Sequence, residues 1–163
     1  MSLSDRRTVL TCLAAVPLAA CGFAPVYAPG GSGSVLRNQI LVEPPETRAE
    51  FLLVARLEER LGRADSPRYA MTLATTIVAR GTAITGSNDI TRINLTGTSR
   101  FRVVEAGSDV QVHAASVRSF TSYSTTGSTI ATATAERDAE ERLMVALGDQ
   151  IVSNLLANAG RWS

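Results

Sequence analysis

The sequence predicts a single α+β domain, in which a mainly antiparallel sheet of about four strands packs on two helices in the order β-α-β-β-β-α. Between Arg68 and Ala115, apolar and polar residues alternate, which is typical of half-buried strands. Apolar residues recur at helical spacing on both sides of that region. Without its first 20 residues, the 163-residue chain is still long enough for one ordinary domain and its core.

The first strand and the first helix precede the alternating region. Val35 to Val42 is an almost continuous apolar run that Pro44-Pro45 stops, and it predicts a buried strand. Thr47 and Glu50 fit a capping box, in which a hydroxyl and a carboxylate each accept a hydrogen bond from a backbone amide at a helix start. The helix is expected to run through regularly spaced leucines until Gly62 ends it.

Three strands are predicted to follow as an antiparallel meander, with turns at 86–89 and 107–109. The first strand begins near Arg68 and places alternate residues on one side, namely Tyr69, Met71, Leu73, Thr75 and Ile77. The second places Ile93, Leu95, Phe101 and Val103 on one side, and Arg92, Asn94, Thr96, Thr98, Arg100 and Arg102 on the other. The third opens with Val110, Val112 and Ala114, and its alternation blurs after Ala115, where we expect a bulge. One face of this sheet should be exposed to solvent, and a helix should cover the other.

The last segment supplies that helix, which we expect from about Thr132 to Ala157. Its apolar positions are four residues apart, at Ala139, Leu143, Leu147, Ile151 and Leu155. The Ser/Thr-rich stretch 119–134 leads into it. We interpret this stretch as a strand end followed by a helix start, rather than as a glycan-bearing or disordered segment, because aromatic and aliphatic residues punctuate it.

Residues 1–20 have the features of a secretory signal peptide. Arg6-Arg7 supply positive charge, and the following apolar run is shorter than the roughly 20 residues that a bilayer requires. Leu18-Ala19-Ala20 leads directly into Cys21, which resembles the lipobox of bacterial lipoproteins. The resemblance implies cleavage before Cys21 and attachment of diacylglycerol and acyl chains such as palmitate. The alternative is an ordinary signal peptide with a chance cysteine, and the export route, Sec or twin-arginine, stays open.

The residues after Cys21 predict a tether and a location. Gly22 stands where lipoproteins kept at the inner membrane resemble one another in carrying Asp, so we expect the periplasmic side of the outer membrane. Residues 21–34 are rich in Pro and Gly, which is typical of a flexible lipid-anchored linker, and residues 35–163 form the domain.

Composition argues against catalysis and against nucleic acid. The chain has 16 basic and 15 acidic residues, a balance that gives no general reason to expect a nucleic-acid partner. Cys12 lies in the signal peptide and Cys21 is the lipid site, so no thiol remains for a disulfide, a metal ion or a nucleophile. No nucleophile motif surrounds His113, the only histidine, which we interpret as structural. We therefore expect that the protein is not an enzyme, and that it has no metal site and no cofactor beyond the covalent lipid.

Both ends of the mature chain resemble the LptE family, the lipoprotein subunits of the outer-membrane lipopolysaccharide translocon. The opening Cys21-Gly22-Phe23, with Pro25 and Tyr27 nearby, is similar to that of many family members. The resemblance returns near the C-terminus, at Tyr123, Ser128, Ala131, Ala135-Glu136, Asp138-Ala139, Arg142-Leu143, Leu147 and Ile151. It implies a subunit that assembles with and plugs the LptD β-barrel and helps to deliver lipopolysaccharide to the outer leaflet.

Two other classes of function remain open beside this resemblance. One is a different periplasm-facing lipoprotein, either a binding module or an accessory of another barrel-assembly machine. The other is a hydrolase with an unrecognised serine. The first would lack a tight complex with one large barrel protein, and the second would be labelled by an activity-based probe.

Candidate ligand contacts lie on the polar side of the second meander strand. Arg92, Arg100 and Arg102 share strand parity and predict a basic stripe able to pair with the phosphates of lipopolysaccharide. The alternative is a solvated strand face without a ligand. Trp162, next to the C-terminus, either touches a membrane interface or packs on the domain.

Overall fold

The computed structural model describes residues 31–84 and 90–162. The predicted signal peptide, Cys21, most of the predicted linker and the predicted turn at 86–89 lie outside these residues.

The described chain has four strands and three α-helices in an α+β arrangement, which confirms the predicted fold class. The elements are α1 (Ser32–Leu36), β1 (Ile40–Val42), α2 (Arg48–Leu61), β2 (Tyr69–Ile84), β3 (Ile90–Glu105), β4 (Gln111–Ser124) and α3 (Thr129–Asn158), followed by a 3-10 turn (Ala159–Arg161). The sheet order is β1-β2-β3-β4, and β1 is parallel to β2 while the other pairs are antiparallel.

The first strand is shorter than the apolar run predicted. β1 has only three residues, and the run begins instead as the short helix α1, which overlaps the last residues of the predicted linker. Leu36 is fully buried, and Asn38 then reverses the chain at a φ of 57°, where its amide donates to the Leu61 carbonyl. A short apolar run does not distinguish a buried helical turn from a strand, and this one contains both.

The predicted capping box starts α2 as expected. The Glu50 amide donates to Thr47 Oγ1 at 3.2 Å, and the Thr47 amide donates to Glu50 Oε2 at 3.2 Å. Gly62 ends the helix at a φ of 78°, a conformation that favours glycine. Both ends of this helix are therefore set by local sequence.

The alternation of β2 and β3 matches the prediction, but that of β4 does not. Val103 pairs with His113 whereas Val104 pairs with Gln111, so a bulge lies at Val112 and not after Ala115. Beyond the bulge, odd-numbered residues of β4 face the helices, and Ala114 is exposed. A strand's two faces exchange at each inserted residue, so the misplaced bulge misassigned the faces of β4 only between Val112 and Ala115.

The helix α3 covers one face of the sheet and lies beside α2. Its inward side is fully buried at Ala139, Leu143, Met144, Leu147, Ile151, Val152 and Leu155. Gly97 of β3 lets this helix approach closely, because a Cβ there would lie 2.9 Å from Leu147 Cδ1. The helices thus form one layer and the sheet the other, and no described element covers the sheet's second face.

Candidate ligand-binding face

The uncovered side of the sheet, here called the outer face, is formed by the even-numbered residues of β2, β3 and β4. Strand pairing arranges them in rows across the three strands, from the end near α1 to the β2–β3 hairpin end. The rows are Thr72–Arg102–Ala114, Ala74–Arg100–Ser116, Thr76–Thr98–Arg118, Val78–Thr96–Phe120 and Arg80–Asn94–Ser122, with Arg92 beside Ser124 at the far end.

The three predicted arginines lie on this face, but they do not form one continuous stripe. Arg100 and Arg102 are two residues apart in adjacent rows, whereas Arg92 lies eight residues away from Arg100 at the hairpin end. All three are exposed. The structure therefore places the three arginines on the same face, but Arg92 lies apart from the other two.

Two further arginines share the outer face and were missed at the sequence level. Arg80 continues the parity of the outward residues of β2, so the alternation seen in the sequence was sufficient to find it. Arg118 pairs with Thr98 from β4, where the bulge at Val112 changes the parity. The sequence predicts a bulge nearby, after Ala115, but it assigns no faces beyond that point, so Arg118 was not placed.

The five outer-face arginines lack acidic partners within the described part of the chain. Among the residues that the structure describes, none of them is in an ion pair, and no Asp or Glu occurs in the rows that contain them. Arg102 makes one weak contact, with the Asp109 carbonyl at 3.4 Å. An exposed, unpaired guanidinium presents its fork of N–H donors to solvent, which is the arrangement that binds phosphate in bidentate fashion.

The arginines fall into two groups. The distal cluster is Arg80 and Arg92, near the hairpin end, and the proximal cluster is Arg100, Arg102 and Arg118. Between them lies an uncharged row, Val78–Thr96–Phe120, in which the Phe120 side chain is 80% exposed. Two shallow depressions meet at this row. One is lined by Thr76, Val78, Arg80, Thr96, Thr98 and Arg118, and the other by Asn94, Thr96, Arg118, Ser119 and Phe120.

His113 and Trp162 lie away from this face and have structural contacts. A hydrogen bond of 2.8 Å joins His113 Nε2 to Asn154 Oδ1 of α3. The Trp162 ring stacks on His113 at 5.9 Å and meets Tyr69 edge-on at 5.0 Å. His113 thus has structural contacts with α3 and Trp162, and of the two alternatives for Trp162 the structure shows packing on the domain.

Residues 31–84 and 90–162 contain neither a metal-ligand cluster nor a membrane-spanning helix. No three His, Cys, Asp or Glu side chains come together in a way that could hold a metal ion. None of the helices in these ranges has the length and apolar character needed to cross a membrane.

One family model matches most of the chain. The family model LptE, described as lipopolysaccharide-assembly, matches residues 37–155. No protein with a curated description matches the sequence. Among solved structures, a lipoprotein from Caulobacter crescentus superposes with a TM-score of 0.67 at 22% identity, covering 80% of this chain and 97% of that one.

Two further solved structures share the fold at lower identity. Rare lipoprotein B from Shewanella oneidensis has a TM-score of 0.55 at 10% identity, over 74% of this chain and 93% of that one. A minor lipoprotein from Acinetobacter baumannii has a TM-score of 0.53 at 18% identity, over 74% and 92%.

Proposed function

The chain belongs to the LptE family of lipopolysaccharide-assembly lipoproteins, and we propose that it binds lipopolysaccharide through its outer face as a non-enzymatic subunit of the outer-membrane translocon. In this proposal the chain assembles with and plugs the LptD β-barrel, and it assists delivery of lipopolysaccharide to the outer leaflet. No cofactor takes part beyond the lipid on Cys21.

The observation that carries the proposal is the concentration of unpaired positive charge on one face. Within residues 31–84 and 90–162, five arginines and no carboxylate share the outer face, although the chain as a whole has a formal net charge of only +1. Lipopolysaccharide carries phosphates on its lipid A sugars, and Arg–phosphate hydrogen bonds are charge-assisted on both sides. If the face were only exposed to solvent and bound no ligand, acidic residues would be tolerated on it as well.

The two layers suggest how the domain sits in a barrel. Burying unpaired guanidinium groups against a protein wall is costly, whereas charges that are already paired cost less. Most arginines of α2 and α3 are paired with carboxylates, so we place the helical layer against the polar barrel wall. The outer face then borders the lumen through which lipopolysaccharide passes.

The anchor is compatible with this placement. The chain enters the domain at α1, which packs near the C-terminal end of α3. The ten residues 21–30 can span at most about 35 Å when fully extended, so an acylated Cys21 in the inner leaflet of the outer membrane keeps that end of the domain close to the membrane. The hairpin end of the sheet lies at the other end of β2 from Tyr69, which pairs with β1.

The proposal is tested by removing the charge of the outer face. We expect the variant R80Q/R92Q/R100Q/R102Q/R118Q of the acylated protein to bind purified lipopolysaccharide about 100-fold more weakly, because each exposed Arg–phosphate contact contributes on the order of 0.5 kcal/mol. R137Q, which removes a charge from α3, serves as the control and should bind normally. Unchanged affinity in the five-residue variant would refute the assignment of the outer face.

A further inference from the structure

We propose that the distal and proximal clusters are two separate phosphate sites, so that the outer face selects lipid A with a phosphate on each sugar of its disaccharide over lipid A with one. This inference rests on the proposed function, since it requires that the outer face binds lipopolysaccharide at all. It adds which chemical form of the ligand is preferred and which arginines act together.

The spacing of the clusters requires two anionic groups. Arg80 pairs with Asn94 and Arg118 pairs with Thr98, so their rows lie four residues apart on β3. At about 3.3 Å per residue this is about 13 Å along the strands, and two strand spacings add about 10 Å across them. Across the whole face, Arg92 and Arg102 lie ten residues apart on β3, about 33 Å at 3.3 Å per residue. This exceeds the combined reach of two arginine side chains, so one phosphate cannot contact all the arginines of both clusters. A ligand with a phosphate at each end can contact both clusters.

The row between the clusters suits an uncharged sugar. Thr76, Thr96 and Thr98 offer hydroxyl groups, and Asn94 offers an amide. Phe120, at 80% exposure, presents a flat apolar surface beside them. A largely apolar wall with a few polar groups that fix orientation is the usual composition of a small-molecule site. Arg80 and Arg118 line the same depression from opposite sides, so the three parts of the face are continuous.

The two clusters differ in how much redundancy they have. The distal cluster contains only Arg80 and Arg92, so replacing both removes it. The proximal cluster contains three arginines, so replacing Arg100 and Arg102 leaves Arg118 to hold a phosphate. Two variants can therefore remove the same net charge from the same face and have different consequences for a two-site ligand.

The test compares the affinities of the acylated full-length protein for bisphosphorylated and monophosphorylated lipid A in detergent micelles. We expect the wild type to prefer the bisphosphorylated form by about ten-fold, because the second phosphate gains charge-assisted contacts. In R80Q/R92Q the ratio should fall to about one. In the charge-matched variant R100Q/R102Q the ratio should stay several-fold, and R137Q should behave as the wild type. Thermal melting of each variant checks that it is folded.

The outcomes separate this inference from the function on which it rests. If the wild type binds both lipids equally well, or if the two charge-matched variants lower the ratio to the same extent, the clusters act only through general charge and the inference is wrong, while lipopolysaccharide binding stands. If the wild type binds neither lipid, the proposed function fails as well.

Discussion

The two layers of the molecule carry arginines in opposite states. In the helical layer, Arg48, Arg56, Arg60 and Arg142 each have a carboxylate oxygen within 3.3 Å. On the outer face of the sheet, none of the five arginines has a carboxylate partner in the described ranges. The number of arginines is similar in the two layers. Pairing therefore distinguishes charge that holds the fold from charge that is available to a ligand.

The paired arginines fasten the helices to each other. Asp149 of α3 lies 2.8 Å from an Arg56 nitrogen and 3.3 Å from an Arg60 nitrogen of α2. Hydrogen bonds to Glu59 and Asp149 raise the pKa of the Arg56 guanidinium above its ordinary value. Gly148 makes room for this side chain, because a Cβ there would lie 2.8 Å from Arg56 Cγ. In the described part of the chain, the outer-face arginines have no comparable network.

The largest difference in the effect of a substitution on stability should appear between adjacent residues on opposite faces of β3. Phe101 is 3% exposed beneath α3, so F101A should lower the free energy of unfolding by about 3–5 kcal/mol. Its neighbour Arg100 points to the outer face, and R100Q should change stability by less than about 0.5 kcal/mol. Urea denaturation of both variants measures this. A large loss of stability in R100Q would mean that the outer face contributes to the fold.

A smaller difference in stability should separate the replacement of a paired arginine from that of an unpaired one. R56A removes a partly exposed ion-pair network between two helices and should cost about 1 kcal/mol of stability. R137A removes an exposed arginine of α3 that has no described carboxylate partner, and should cost almost nothing. Neither change should alter lipopolysaccharide affinity. Weakened binding in R56A, with the protein still folded, would contradict the division between layers.

The smallest effect concerns the partner barrel. Phe51 of α2 is 62% exposed on the helical layer, and we expect F51E to reduce the amount of LptD captured with the tagged protein by a few-fold. The five-residue outer-face variant should capture LptD as well as the wild type does. Affinity capture from detergent-solubilised outer membranes, with quantitative mass spectrometry, measures both. Loss of LptD from the outer-face variant alone would reverse the proposed orientation.

Features set by neighbouring residues could be predicted from the sequence. The capping box of Thr47 and Glu50, the end of α2 at Gly62 and the alternation along β2 and β3 all depend on local spacing. The fold class followed from them. The predicted arginines Arg92, Arg100 and Arg102 were placed on the correct face for the same reason.

Features set by tertiary contacts could not be predicted. Leu36 belongs to a helix because its side chain enters the core and Asn38 then turns towards Leu61, and the apolar run alone does not encode either contact. The bulge at Val112 appears only when β3 and β4 are paired. Arg118 was missed because the blurred alternation of β4 left its faces unassigned beyond Ala115, and the division of the outer face into two clusters was missed with it.

The central claim is that the outer face, and not the helical layer, meets lipopolysaccharide. The chain offers a matched pair of exposed phenylalanines, Phe120 on the outer face and Phe51 on the helical layer. Each can be replaced by the photoreactive analogue p-benzoylphenylalanine in cells, followed by ultraviolet irradiation and detection of lipopolysaccharide on the purified protein. We predict a lipopolysaccharide adduct from position 120 and none from position 51. An adduct from position 51 with none from position 120 would contradict the account.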